Sequence, residues 1–367
     1  MSLSDLLQES TIPWLSDAKK ADDVVLGTRV RLARNFRDFA FPNRANLNQL
    51  AETRLMFEKI LPEVGRELHT AFDLADMEKL TPLQRNVLVE KQFISVNLTL
   101  SPQHRVAFIS ENRNLVVLVN EDDHLRIQCM APGLDLAAPY ELASKFDDLV
   151  EAKLDIAFDE KMGYLTSCPT NLGTGLRASV ILHLPGLVFT KNIQNIMNIS
   201  PQLGLAIRPI YGDNKGSFSN LFLLSNQMTL GFSESELLAN LRTATEEIVT
   251  HEQQARKALL LYMKDRLEDD VYRSYGTLRY ARILSEKETL ELLSKIRLGS
   301  DLGMLDELTE RDFSEILVRS GEGFLLNLAE NENLSQNEID RLRANKVREI
   351  LLRHEEARKT AQIEEER

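Results

Sequence analysis

The texture of this 367-residue chain changes near residue 235, and few folds accommodate the change. Before it, short runs rich in β-branched and aliphatic residues read as strands: VAFIS (106–110), LVVLV (115–119), LRIQC (125–129), ASVILHL (178–184) and LFLLS (221–225). Helical patterns at 47–60, 82–92 and 139–156 lie among them. Strands and helices do not alternate strictly, which favours a sizeable, mostly antiparallel sheet flanked by helices over a doubly wound parallel sheet. After 235, apolar residues recur at three- and four-residue spacing and strand signals almost vanish. Breaks near Gly299, Gly303 and Gly321 to Gly323 divide this part into shorter helices, and Ser335 with Glu338 forms a capping box that opens a final one. The pattern predicts an α+β domain over 1–245, an all-helical domain over 246–367 and a solvated tail.

A net charge of −12 argues against a general nucleic-acid binder, although TRVRLARNFR (28–37) and RLRANKVREILLRH (341–354) are basic islands suited to anionic ligands at particular places. The two cysteines, Cys129 and Cys168, make neither a disulfide framework nor a zinc spacing. The N-terminus lacks a secretory pattern and no apolar run approaches the ~20 residues of a membrane span, so a cytoplasmic protein with reduced thiols is expected. Several tempting motifs fail. No GxxxxGK[ST] loop, GxSxG elbow or HExxH helix is present, and ERDF (310–313) has no Gly-rich loop upstream.

The arginines are more informative. Arg29 and Arg31 are two apart, so in an extended segment they point the same way. Arg126 falls on an expected strand, Arg177 follows a Gly-rich turn, and Arg208 ends a strand before a flexible loop. Singly each is an ordinary surface charge; together they describe a cage for a polyanion such as a triphosphate. Cys168, beside a Thr/Asn/Gly turn, is open to four readings: nucleophile, metal ligand, buried filler, or a group that handles charge.

Three segments, TRVRLARN (28–35), NEDDHLRIQ (120–128) and LTSCPTNLGTGLRAS (165–179), resemble the signatures of the phosphagen kinases, the ATP:guanidino phosphotransferases. The resemblance covers roughly 22–235. Through LEDDVYRSYGTLRYAR (267–282), KIRLGSDLG (295–303) and NEIDRLRANKVREIL (337–351) it continues into the protein arginine kinase branch. It implies a phosphagen-kinase-like catalytic domain that uses Mg²⁺ and ATP to phosphorylate arginine side chains in proteins, a mark in the stress response and protein quality control. Arg29, Arg31, Arg126, Arg177 and Arg208 would hold the phosphates, with Thr28, Ser179 and Gln92 also on the nucleotide. Asp122 and Asp213 would clamp and deprotonate the guanidinium, and Cys168 would face it as a thiolate. Implied partners are protein substrates, a zinc-binding activator protein, a heat-shock repressor, a Clp ATPase and protease, and a second copy of the chain. A kinase for free arginine and a catalytically weakened ATP- or arginine-binding adaptor are the alternatives.

The chemistry explains these residue types. A guanidinium is protonated at neutral pH, so its nitrogen has no free lone pair with which to attack phosphorus. Carboxylates orient the planar group and take its proton, while arginines neutralise the transferring phosphoryl. Relatives carry glutamate where Asp122 and Asp213 stand, and histidine where Gln92 stands. Glu121, if on a strand, would face away from Asp122. The phosphoarginine-binding position of the helical domain matches Ile339-Asp340, with isoleucine where relatives carry arginine.

Overall fold

The computed structural model describes residues 3–12, 15, 23–213, 216–305 and 308–365, with only the backbone of Asp213 and of residues 357–365. In chain order the elements are α1 (Leu3–Gln8), β1 (Val25–Arg34), α2 (Leu47–Glu67), β2 (Phe72–Asp76), α3 (Pro82–Glu90) and α4 (Val96–Leu100). Next come β3 (Val106–Ser110), β4 (Leu115–Val119), β5 (Leu125–Pro132), α5 (Ala137–Glu151) and the hairpin β6 (Phe158–Asp159) and β7 (Gly163–Tyr164). There follow β8 (Leu176–His183), α6 (Pro185–Phe189), α7 (Ile193–Ile199), β9 (Leu205–Pro209), the hairpin β10 (Gly212–Asp213) and β11 (Gly216–Ser217), and β12 (Leu221–Asn226). The remainder is helical: α8 (Glu234–Tyr280), α9 (Glu286–Asp301), α10 (Glu310–Ser320), α11 (Glu322–Ala329) and α12 (Gln336–Glu365).

Local sequence fixes many of these starts. Asn46, Thr81 and Ser233 each accept from the amide three residues on, and Gln49, Gln84 and Glu236 answer their backbone N–H groups, so capping boxes open α2, α3 and α8. The Ser335–Glu338 box forms as expected before α12, with Ser335 N donating to Glu338 Oε2 at 2.8 Å.

Eight strands make one sheet in the order β2-β3-β4-β5-β1-β8-β12-β9, antiparallel at every pairing. Alternation splits its side chains between two faces. One face, with Val30, Leu32, Val117, Ile127, Cys129, Val180 and Leu224, packs on Phe57 of α2, Phe146 of α5 and Leu241 of α8. Cys129 is therefore a core residue, as expected, and burial pushes its thiol up. The other face packs part of its area, through Ala107, Val116, Leu118, Met130, Ile181 and Leu223, against Val87 and Leu88 of α3 and Leu290, Phe324 and Ile350 of the C-terminal helices. Those helices thus share a core with the sheet and with Leu6 and Leu7 of α1.

The C-terminal part departs from the expected breaks at one point. Gly299 lies inside α9, where a Cβ would come within 2.3 Å of Val271 Cγ1; its small size lets α9 approach α8. Gly303, at φ +68°, does follow the helix end, and Gly321 sits between α10 and α11. Residue 245 lies within α8, which bends at Met263 (φ −139°, ψ 24°). Among the described residues no helix is long and apolar enough to cross a membrane.

Candidate active site

Strand register alone gathers the five arginines. Residues directly opposite in an antiparallel pair share a face. Arg31 is opposite Arg177 and Arg29 is opposite Ser179 across β1 and β8. Ala33, on the same side as Arg31, is opposite Arg126 across β1 and β5. Leu223 is opposite Ile181 on one side and Arg208 on the other. Arg29, Arg31, Arg126, Arg177 and Arg208 therefore project from one face of four different strands.

Four of them, Arg29, Arg31, Arg126 and Arg208, line a cavity of about 370 Å³ together with Gln92, Ser95, Gln128 and Tyr211. The charges are poorly compensated. Burial, and then repulsion from Arg126, Arg208 and Arg177, lowers Arg29 to about 10. Burial and the charge of Arg29 push Arg31 well below the ordinary guanidinium range, and Arg177 is lowered by burial and by Arg208. The Nε atoms of Arg29 and Arg31 are buried and meet no acceptor among the described residues. Like charges brought together around one cavity repel unless an anion joins them, so the row of arginines marks a place for one.

The carboxylates come from the β4–β5 turn. Asp122 Oδ2 lies 3.4 Å from Arg126 Nη2, and Asn97 Nδ2 donates to its other oxygen at 3.3 Å. Two neighbours in the turn hold it. Asp123 Oδ1 accepts from Asn35 Nδ2 and from the Ser167 amide, each at 2.7 Å, while Ser167 Oγ donates to the Asp122 carbonyl at 2.6 Å. His124 is stacked on Phe36, ring centroids 5.2 Å apart, and its Nδ1 accepts from the Phe36 amide. The Asp123 bonds strap the Asp122 turn to the segment that carries Cys168.

Cys168 is half-buried and stands at the start of a 3-10 turn (Pro169–Asn171), its Sγ 3.0 Å from Thr170 Oγ1. It is close enough to Arg177 for its charge to act on that guanidinium. The turn rests on Thr229, whose hydroxyl donates to the Leu172 carbonyl at 2.6 Å. Gly173, at φ +110°, has no room for a side chain, since a Cβ would lie 2.9 Å from Leu230 Cα. No group of three or more metal-ligating side chains occurs among the described residues.

Not every residue singled out in the sequence joins this site. Thr28 points to the opposite face from Arg29 and is spent on the Asp135 carbonyl at 2.6 Å, so it cannot reach the cavity. Ser179 lies on the arginine face but is fully buried, its hydroxyl 3.4 Å from the Arg29 carbonyl. Gln92 does line the cavity, from a left-handed backbone at φ +61°. The expectation for Glu121 fails because residues 120–124 form a bend rather than a strand. Its carboxylate is buried against Arg126 and Ser95, on the same side as Asp122. Asp213 lies on β10, and its side chain is outside the described residues. At the other position, Ile339 is buried, so no charge stands there; Asp340 is held by Arg343 and Gln336. Arg343 is itself buried against the Ser320 and Leu284 carbonyls. Sequence reasoning missed Ser95, Asn97, Gln128 and Tyr211, whose motifs carry no chemical signature, and the strapping role of Asp123.

The chain is similar to known proteins. The C-terminal catalytic domain of the ATP:guanido phosphotransferases matches residues 56–255, and the C-terminal domain of the protein-arginine kinase McsB matches 264–362. Protein-arginine kinases of Bacillus cereus (strain B4264) and Bacillus anthracis (strain CDC 684 / NRRL 3495) are each 41% identical over 351 residues, 96% of this chain and 99% of theirs. Among solved structures, lombricine kinase superposes with a TM-score of 0.55 at 24% identity, covering 65% of this chain and 70% of that one, a likeness of fold. A duplicated taurocyamine kinase from Schistosoma mansoni, with bound transition state analog components, gives 0.58 at 25% identity, covering 69% and 38%.

Proposed function

The chain belongs to the ATP:guanido phosphotransferase family, and on that premise we infer that it is a protein arginine kinase, transferring the γ-phosphoryl of ATP to a guanidinium nitrogen of arginine side chains in proteins. The observation that carries the reading is the arginine face, four of whose side chains, Arg29, Arg31, Arg126 and Arg208, line one cavity. Such a face costs stability unless a polyanion completes it, and a nucleoside triphosphate has the charge to do so. Mg²⁺ would enter on the phosphates, with most of its ligands supplied by them and by water.

In this reading Arg29, Arg31, Arg126, Arg177 and Arg208 neutralise the phosphates, and Gln92 lies on the nucleotide. Asp122 orients the guanidinium and takes its proton, with Asp213 as the second carboxylate. The Asp123 strap keeps Asp122 and Cys168 at a fixed separation, and Cys168 faces the cation. In-line transfer depends on this positioning more than on any covalent chemistry of the protein. Protein rather than free arginine as acceptor is supported by the name of the full-length relatives. We place the catalytic unit at 1–245 and a helical unit for dimerisation and substrate recognition at 246–367, in a cytoplasmic enzyme. The zinc-binding activator, heat-shock repressor and Clp partners belong to the same proposal. Incubation with labelled Mg-ATP and an arginine-rich protein tests it. Acid-labile label on that protein, absent when its arginines are replaced by lysines, supports the reading, and label indifferent to the replacement refutes it.

A further inference from the structure

Three consecutive residues at the end of α3 tie the arginine-lined cavity to distant parts of the chain. Gln92 lines the cavity, and its carbonyl accepts from Gln128 Nε2 at 3.2 Å. Lys91, fully buried, donates to the carbonyls of Leu6 and Glu9 and lies 5.2 Å from the Phe324 ring centroid. Glu90 also lines the cavity, yet both its oxygens are turned to α11, accepting from the amides of Gly323 at 2.7 Å and Phe324 at 2.9 Å. A carboxylate on the first turn of a helix satisfies donors that the helix leaves open.

The C-terminal side makes room for this carboxylate. A Cβ at Gly321 would lie 2.4 Å from Glu90 Oε2, and one at Gly323 would lie 2.9 Å from Oε1 and 2.6 Å from Asn86 Nδ2. The contact also reaches the segment before Asp213. Tyr211 is partly buried, near Glu90, Glu286 and the Gln92 side chain, and lines the same cavity as Glu90 and Gln92. Burial raises Glu90 to about 7 against the pull of the two amides, with smaller contributions from the charges of Glu286 of α9 and Glu322 of α11.

We propose that Glu90 is a positioning residue for the nucleotide: through its two bonds to α11, the C-terminal helices set the place of the cavity wall that carries Gln92. The inference rests on the reading of the cavity as the ATP site. It makes the helical region part of the nucleotide-binding machinery without a side chain of that region touching the ligand. Coupling is reciprocal, so ATP in turn tightens the α3–α11 contact.

The test uses the full chain and Mg-ATP, with calorimetric dissociation constants, steady-state kinetics and nucleotide-free melting temperatures. Gly323→Ala, in α11, is expected to weaken ATP binding and raise KM for ATP about tenfold, a usual size for coupling between sites, while kcat at saturating ATP is kept. Glu90→Gln, which keeps one acceptor, should bind ATP with an affinity between those of the native chain and Glu90→Ala. Native ATP affinity in Gly323→Ala at an unchanged melting temperature overturns the proposal. Should Gly323→Ala fail to fold, native affinity in Glu90→Gln does the same. Failure of the native chain to bind Mg-ATP refutes the cavity assignment instead, and the proposal falls with it.

Discussion

Asp122 stands 3.4 Å from Arg126, and this ion pair joins the carboxylate proposed to meet the guanidinium to the arginine row proposed to meet the phosphates. In Asp122→Asn the proposed general base is lost while Arg126 keeps its pair with Glu121 and sheds one competing carboxylate. We expect kcat to fall by roughly 10²-fold or more, with ATP affinity no weaker than native. Parallel losses in both would place Asp122 outside the chemistry. Asp122→Glu adds the methylene that the family resemblance implies at this position: a faster enzyme means the aspartate is too short, and a slower one means the site has re-formed around it.

The repulsion between Arg29 and Arg31 predicts a trade of function for stability. Arg31→Met removes a charge that burial and Arg29 disfavour more than Glu121 favours it. The nucleotide-free protein should melt higher by about 2 °C, and the stabilisation that Mg-ATP confers on the native chain should vanish. A lower melting point without nucleotide would show that the cage is already compensated.

In the proposed function Cys168 meets the acceptor and not the nucleotide. Cys168→Ala is expected to raise KM for an arginine-bearing protein by about tenfold, the scale of one charge-assisted contact, while the ATP dissociation constant stays within about twofold. Equal losses in both constants would contradict the thiolate role.

His124 predicts an acid limb of stability. Burial lowers it from 6.5 to about 4 in the fold. The unfolded chain takes up its proton near 6.5 and the folded one does not, so the contribution is full above 6.5 and is lost as pH falls towards 4. The loss is about 3 kcal/mol at most. Urea midpoints measured from pH 7.5 to 4.5 should show this decline and a flatter profile in His124→Gln.

Five strands of the sheet, β3, β4, β5, β8 and β12, were legible in the sequence as short runs rich in β-branched and aliphatic residues, and the five arginines were legible because two-residue spacing and strand ends are local signals. Residues whose role depends on pairing across the chain were not. Thr28 looked like part of the arginine segment, but the pleat turns it to the Asp135 carbonyl. Glu121 was misjudged because a bend at 120–124 breaks the alternation that a strand would impose. Glu90 and Lys91 resemble an ordinary solvated helix end, and only the packing of α11 and α1 onto α3 buries them. Gly299 read as a breaker because its role is steric and belongs to Val271, 28 residues away.

The most direct measurement is a phosphotransfer assay with Mg-ATP that offers free L-arginine and an arginine-rich protein side by side, scores acid-labile phosphate on nitrogen, and uses Asp122→Asn and Cys168→Ala as controls. The account predicts label on the protein acceptor, little on free arginine, and loss of label in Asp122→Asn. Label on free arginine alone, or transfer undiminished in Asp122→Asn, would contradict it.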